Sequence, residues 1–239
     1  LTASSLPTGA AEESFFYVAY RLDGAVAAQR PVTFFYNGGP GSATVWLHLG
    51  SFGPMRLVTG DPSTTSPTPF PLVANAQSLL DVTDMVFVDA VGTGYSEAIA
   101  PNTNISFWGV DVDAQVFRDF VMRYVAANHR DASPKYLFGE SYGTARSCVL
   151  AYRLHEDGVD LNGITLQSSI LDYRQAGDPV GALPTAAADA WYHKCLARPP
   201  ADLSAYAEQV ALFARGAYRE ALAKLPAIDA KTLGQLSTY

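Results

Sequence analysis

A five-residue segment, Gly139-Glu140-Ser141-Tyr142-Gly143, matches the pattern in which a serine is exposed on a sharp turn between a strand and a helix. The apolar run at 135–138 predicts the strand, and the apolar spacing after the segment predicts the helix. Glycines suit the flanking positions because the two backbones approach too closely there for side chains. We therefore predict that Ser141 is a nucleophile for acyl transfer.

Such a nucleophile needs N–H donors aimed at the negatively charged oxygen that forms during the reaction. One donor is expected from the backbone of Tyr142, the residue after the serine. A second must come from a loop after an earlier strand, and the glycine-rich segment 37–41 follows the aromatic, β-branched run at 31–36. That segment is also typical of a simple tight turn, so both interpretations stay open at this point.

Further apolar runs alternate with helical patterns and supply the elements that would position these residues. The run at 84–89 has the continuous apolar character of a strand that is buried on both faces, and the runs at 135–138 and 161–167 predict two further strands. Between the first two runs, apolar residues recur every four positions, as in an amphipathic helix: Val112, Val116, Phe120 and Tyr124. This order of strands and helices predicts an α/β fold with a mostly parallel sheet covered by helices.

The pattern changes after Pro184, where strands stop and alanine-rich helical stretches follow, around 186–197 and 203–225. We therefore predict a sheet-bearing domain over residues 1–181 and a helical insertion over 182–239. Cys148 falls on an apolar helical face and is predicted to be a buried thiol.

Three segments together resemble the serine carboxypeptidase family, in the family's order and at compatible spacing. They are Asn37-Gly38-Gly39-Pro40-Gly41-Ser42-Ala43, Asp89-Ala90-Val91-Gly92-Thr93-Gly94-Tyr95-Ser96 and Gly139-Glu140-Ser141-Tyr142-Gly143-Thr144. The resemblance runs from about Phe15 to at least Tyr173, and more loosely through the helical tail. It implies an α/β-hydrolase sheet that is incomplete, lacking the C-terminal strands, followed by the start of a helical cap insertion. It also implies a peptidase (family S10) that releases C-terminal amino acids through an acyl-enzyme.

The resemblance assigns roles to individual residues. Ser141 would be the nucleophile, and the N–H groups of Gly39 and Tyr142 would form the oxyanion hole. Three residues would bind the free carboxylate of a peptide's last residue: Asn37, Gly38 and Glu140. A carboxyl group beside the nucleophile can donate to that carboxylate when protonated, whereas an ionised one would repel it, so activity is expected to favour acidic conditions.

Two features depart from the family pattern. Ser51 stands where the family usually places a second glutamate, so the resemblance does not extend to a strongly acidic optimum. The family's catalytic Asp and His follow the cap insertion, and no histidine of this chain, at 48, 129, 155 or 193, occupies that place. Asp172 also comes too early for the family's acid. We expect the Asp and His to come from a missing C-terminal half or from a second chain.

Two alternatives remain at this point, an acyltransferase or esterase of the same family and an inactive remnant that binds peptides. The net charge of −7 argues against nucleic-acid binding, which needs clustered Lys and Arg. No apolar stretch reaches the ~20 residues that span a membrane, and no metal or organic cofactor is implied. The family resemblance favours a secreted or periplasmic protein.

Overall fold

The computed structural model describes residues 2–3, 11–59, 70–174 and 177–225. The chain divides into two compact units, Leu1–Leu171 and Asp172–Tyr239. The first contains every strand and the second is helical. The domain boundary predicted after residue 181 falls inside a helix of the second unit, Pro179–Tyr192.

The first unit is built around a five-stranded sheet with the order β10–β9–β4–β7–β3. Its strands are β3 (Tyr17–Tyr20), β4 (Val32–Tyr36), β7 (Asp84–Val88), β9 (Lys135–Glu140) and β10 (Gly163–Gln167). The four strands β10, β9, β4 and β7 run parallel, and β3 pairs antiparallel with β7 at one edge. The remaining strands are short: β1 (Thr2–Ala3), β2 (Glu13–Ser14), β5 (Met55–Leu57), β6 (Leu72–Ala74) and β8 (Glu97–Ala98).

Strands β4 and β7 are buried along their whole length. Successive side chains of a strand point to opposite faces of the sheet, so each of these strands is buried on both faces. Phe34 and Tyr36 belong to a large cluster with α2 (Val110–Ala127) and α3 (Tyr142–Glu156). Phe35, between them, belongs to a smaller cluster on the other face. The predicted parallel sheet with buried central strands is thus confirmed.

The long helix α2 carries the predicted apolar stripe with one shift. Val116, Phe120 and Tyr124 are buried, whereas Val112 is 38% exposed and its neighbour Asp113 is only 7% exposed. A carboxylate therefore occupies the core-facing position at the start of this helix.

Helix α3 corrects the prediction for Cys148, which is exposed. The helix buries the face that carries Ser147, Leu150 and Leu154, spaced at helical intervals, and Cys148 lies one position round from it. Next to this helix, β10 is an edge strand with a neighbour on one side only among the described residues. Its apolar Ile164 and Leu166 are 42% and 36% exposed.

The second unit contains α4 (Pro179–Tyr192), α5 (Leu203–Phe213) and α6 (Arg219–Ala223), with a π-helical turn at Ala214–Tyr218. The side chain of Asp178 accepts hydrogen bonds from the N–H groups of Val180 and Gly181, which caps the start of α4. The helical character predicted for this part of the chain is confirmed, although α4 begins before Pro184.

Candidate active site

Ser141 lies on the strained turn that the sequence predicts. It follows the last residue of β9 and precedes α3, with φ 56° and ψ −120°, a conformation that costs a non-glycine residue free energy. Its N–H donates to the carbonyl of Gln167 on β10 at 3.0 Å, and its carbonyl accepts from the N–H of Thr144 at 2.9 Å. The neighbouring strand and the first turn of the helix therefore hold the serine in this conformation.

The flanking glycines are required by contact distances. A Cβ on Gly139 would lie 2.2 Å from the carbonyl oxygen of Gly143, and a Cβ on Gly143 would lie 2.9 Å from the carbonyl oxygen of Tyr36. Both distances are shorter than real carbon–oxygen contacts. The predicted close approach of strand and helix is what the structure shows.

The glycine-rich loop after β4 packs directly against the serine turn. A Cβ on Gly38 would lie 2.4 Å from the nitrogen of Tyr142 and 2.9 Å from the Cβ of Ser141. The next residue, Gly39, has φ 107°, which side-chain-bearing residues rarely adopt. The fold thus brings together the two segments that were predicted to supply the oxyanion-hole donors.

Asn37 connects this loop to the acid beside the nucleophile. Its amide Nδ2 donates to Oε2 of Glu140 at 3.0 Å, while its Oδ1 accepts from the N–H of Leu47 at 3.1 Å. Because the oxygen is already engaged by an N–H donor, the NH₂ end must face Glu140. Asn37 is itself buried. The structure therefore joins the residues that were assigned to carboxylate binding.

Asp89, in the second of the three motif segments, anchors the region behind the glycine-rich loop. One carboxylate oxygen accepts from the N–H of Thr44 at 2.7 Å, and the other accepts from the N–H of Tyr95 at 3.4 Å. Burial raises the pKa of this carboxyl group above its ordinary value, against the lowering effect of these two N–H donors. Its contacts are those of a structural anchor that holds the ends of β4 and β7 together.

Sequence reasoning missed one residue of this region, Arg146. Its side chain is fully buried, and its Nε donates to Oδ2 of Asp113 at 2.7 Å. Its Nη1 donates to the backbone carbonyl of Asn37 at 3.0 Å. The sequence signal that could have found it is a charged residue on the core-facing side of each of two helices, Arg146 on α3 and Asp113 on α2.

Two of the four histidines, His48 and His155, have side-chain partners away from the serine turn. Nε2 of His48 lies 2.7 Å from the hydroxyl of Tyr20, and burial lowers the pKa of this histidine. His155 is exposed and pairs with Asp160 at 2.8 Å. Neither of these two, nor His129 or His193, hydrogen-bonds to the side chain of Ser141 in the described part of the chain. Asp172 is bound to its near neighbour Arg174 at 2.8 Å.

A cavity of about 380 Å³ opens beside the serine turn. Its walls include Val91, Phe107, Trp108 and Tyr142, so it is mostly apolar. Within the residues that the structure describes, no group of three or more His, Cys, Asp and Glu side chains could hold a metal ion. In the same residues, no helix has the length and apolar character needed to cross a membrane.

A family model of the serine carboxypeptidases, peptidase family S10, matches residues 6–199. The chain belongs to this family. The match includes the glycine-rich loop, the Asp89 segment and the serine turn, so all three segments on which the resemblance rested lie inside it. Proteins of this family are peptidases, which are a class of hydrolase. A comparison with curated proteins found no significant match.

A solved structure shows the same fold. A prohormone-processing carboxypeptidase of Saccharomyces cerevisiae is similar over 88% of this chain and 45% of its own, with 19% identity and a TM-score of 0.54. A proline iminopeptidase of Mycobacterium smegmatis is similar over 100% of this chain and 67% of its own, with 15% identity and a TM-score of 0.47. The predicted α/β-hydrolase fold is confirmed, and this chain spans less than half the length of the yeast carboxypeptidase.

Proposed function

We propose that this serine carboxypeptidase-family chain carries the nucleophile and the substrate-carboxylate site of an enzyme that removes C-terminal residues from peptides. The observation that supports it most is the 3.0 Å hydrogen bond between Asn37 and Glu140, directly beside the strained Ser141. A protease that cuts inside chains has no need of an amide and a carboxyl group at this position. In a protease that reads a free C-terminus, the amide and the protonated carboxyl group can each donate a hydrogen bond to the terminal carboxylate.

In this proposal the reaction begins when Oγ of Ser141 attacks the carbonyl carbon of the last peptide bond. A new Oγ–C bond forms, the hydroxyl proton passes to a base, and the carbonyl electron pair moves to the oxygen. The N–H groups of Gly39 and Tyr142 donate to that oxyanion. The C–N bond then breaks, and the leaving amino acid takes the proton.

Water completes the cycle by adding to the acyl ester. The shortened peptide leaves as a carboxylic acid and the hydroxyl of Ser141 is restored. Both steps need a base close to Oγ. Since none of the described histidines hydrogen-bonds to the side chain of Ser141, we propose that the base and its acid partner come from polypeptide outside this chain's described residues. They would lie in the remainder of a longer enzyme or in a second chain. A secreted or periplasmic location is part of this proposal.

Labelling with a fluorophosphonate tests whether the nucleophile is active. In a sample that also contains the polypeptide supplying the base, intact mass and peptide mapping are expected to show a single adduct on Ser141, and Ser141→Ala should abolish it. Ser204→Ala, which changes an exposed serine of the helical unit, is the matched control and should label like the parent. An unlabelled parent protein would contradict an activated Ser141 in the chain as tested.

Paired substrates test carboxylate recognition. A peptide with a free C-terminus should be shortened, whereas its C-terminal amide should resist. Glu140→Ala, which removes the donor, should lower kcat/KM for the free acid by about 10- to 100-fold, the usual effect of losing a hydrogen bond to a charged group. Glu156→Ala, on the exposed end of α3, should have little effect. Equal cleavage of acid and amide would reject the carboxypeptidase and favour an esterase or acyltransferase of the same family.

A further inference from the structure

A buried cation lies behind the glycine-rich loop and the serine turn and contacts both. We propose that Arg146 is a positioning residue that holds the two proposed oxyanion-hole backbones in register, an inference that rests on the function proposed above. It touches neither Ser141 nor any group assigned to substrate. It acts through the peptide units that carry the donors.

The first contact is with the glycine-rich loop. Nη1 of Arg146 donates to the carbonyl oxygen of Asn37 at 3.0 Å. That carbonyl belongs to the peptide unit between Asn37 and Gly38, and the next peptide unit carries the N–H of Gly39. Only φ and ψ of Gly38 separate the two planar peptide units, and the close packing of Gly38 against Tyr142 and Glu140 limits both rotations. Arg146 thereby restricts where the Gly39 N–H points.

The second contact is with the residue after the nucleophile. The guanidinium carbon lies 5.2 Å from the ring centroid of Tyr142, within the range of a cation–π interaction. The same group lies 4.4 Å from the ring of Phe117 and 5.3 Å from the ring of Tyr36. One planar cation is therefore in contact with the side chain of one donor residue and with the peptide unit preceding the other.

Asp113 fixes the guanidinium in this position. Its two carboxylate oxygens accept from Nε at 2.7 Å and from Nη2 at 3.2 Å, which is bidentate pairing. This leaves Nη1 directed at Asn37. A lysine has a single terminal nitrogen and cannot pair with both carboxylate oxygens in a fork and also keep a separate planar donor on the carbonyl. The geometry depends on a guanidinium and not only on a positive charge.

The experiment compares Arg146→Lys with a matched variant, Arg130→Lys. Arg130 is also fully buried, pairs with Asp84 at 2.6 Å, and donates to the backbone carbonyl of Arg30 at 2.9 Å. Its contacts lie at the amino-terminal ends of the strands, away from the serine turn. Each variant thus replaces a buried guanidinium that pairs with an aspartate and donates to a backbone carbonyl, at opposite ends of one sheet.

Selective isotope labelling makes the relevant amides visible without a full assignment. The sequence contains one Gly-Gly pair, which reports the N–H of Gly39, and one Ser-Tyr pair, which reports the N–H of Tyr142. Its two Asn-Gly pairs report Gly38 and, as an internal control, Gly163 at the start of β10. Carbonyl-¹³C on the first residue and ¹⁵N on the second select each amide in the full chain.

Arg146→Lys is expected to move the Gly38, Gly39 and Tyr142 peaks by several line widths and to leave Gly163 in place. Arg130→Lys is expected to leave the first three in place. If the three peaks stay in place in folded Arg146→Lys, or move equally in Arg130→Lys, the positioning role is rejected. Should Arg146→Lys fail to fold, Asp113→Asn, which weakens the pair but keeps the arginine, is judged by the same peaks.

Kinetics separates this inference from the proposed function. For a free-acid peptide, Arg146→Lys should lower kcat by about tenfold or more with KM nearly unchanged, because oxyanion-hole donors act in the transition state. A rise in KM with kcat unchanged would contradict it. If the parent protein shows no turnover, the proposed function fails, while the amide peaks still decide the role of Arg146.

Discussion

Each end of the central sheet buries an aspartate that is paired with arginine, and the two sites are built differently. At the amino-terminal ends of the strands, Asp84 accepts from Arg130, from Arg30 at 2.9 Å and from the N–H of Leu22 at 3.2 Å. Burial acts to raise the pKa of Asp84, but these donors outweigh it and hold the pKa below its ordinary value. At the carboxyl-terminal ends, the only side-chain cation paired with Asp113 in the described residues is Arg146.

This difference in the number of donors indicates a different role for each end of the sheet. Asp84 and its donors tie together the segments that enter β4, β7 and β9, with several interactions that can replace one another. Arg146 and Asp113 form a single pair behind a loop that must be held in one conformation. A buried ion pair often adds little net stability, so a pair at this place is better explained by geometry than by stability. The predictions below test this contrast.

The largest expected effect is on stability when each arginine is removed. Arg146→Met leaves Asp113 buried without a cation and should cost on the order of 3–5 kcal/mol of unfolding free energy. Arg130→Met should cost less, since Asp84 keeps Arg30 and the Leu22 N–H. Urea unfolding of the two variants measures both costs. An equal or larger cost for Arg130→Met would remove the contrast between the two ends.

The second prediction concerns the contact between the glycine-rich loop and the serine turn. Gly38→Ala places a Cβ 2.4 Å from the Tyr142 nitrogen and should destabilise the protein by about 1–3 kcal/mol, as overpacking does. Gly41→Ala in the same loop is the matched control, because a Cβ there meets nothing within 4 Å. Urea unfolding again provides the measurement. Similar free energies of unfolding for the two variants would show that the loop is not closely packed against the serine turn.

The third prediction uses a buried acid that lacks a partner. Glu13 is fully buried, and neither carboxylate oxygen has a hydrogen bond to the described residues. Burial raises its pKa to about 7, aided by the negative charges of Glu12 and Asp119 and opposed by Arg123. The folded state therefore favours the protonated form. Its contribution to stability is full below pH 4.5 and falls as the pH rises to about 7.

Glu13→Gln should remove the loss of stability that ionisation of Glu13 causes, and should stabilise the protein above pH 7 by on the order of 2 kcal/mol. Below pH 4.5 the variant and the parent should be nearly equal in stability. Thermal unfolding from pH 4 to 8 follows the difference between them. A difference that does not change with pH would show that Glu13 has the same pKa in the folded and unfolded states, and would contradict the raised pKa.

Several features could be predicted from the sequence because they depend on local patterns. The strands at β4, β7 and β9 follow from continuous apolar runs, and the turn at Ser141 follows from five residues and their flanks. The roles assigned to Gly39, Tyr142, Asn37, Gly38 and Glu140 stay predictions, although the structure brings these residues together. The stripe on α2 was correct at Val116 and Phe120 but wrong at Val112, because hydrophobicity alone favours a valine over the neighbouring Asp113 at a buried position.

By itself, the sequence determined the α/β fold, the family and the position of the strained turn at Ser141, since each is encoded in short segments whose spacing along the chain is sufficient. Only the tertiary structure decided that Asn37 faces Glu140 and that Arg146 pairs with Asp113. Both arrangements join residues that are far apart in the chain, 103 positions for the first and 33 for the second. A buried polar group is tolerated only when a partner arrives with the right geometry, and that geometry is set by how the helices pack on the sheet.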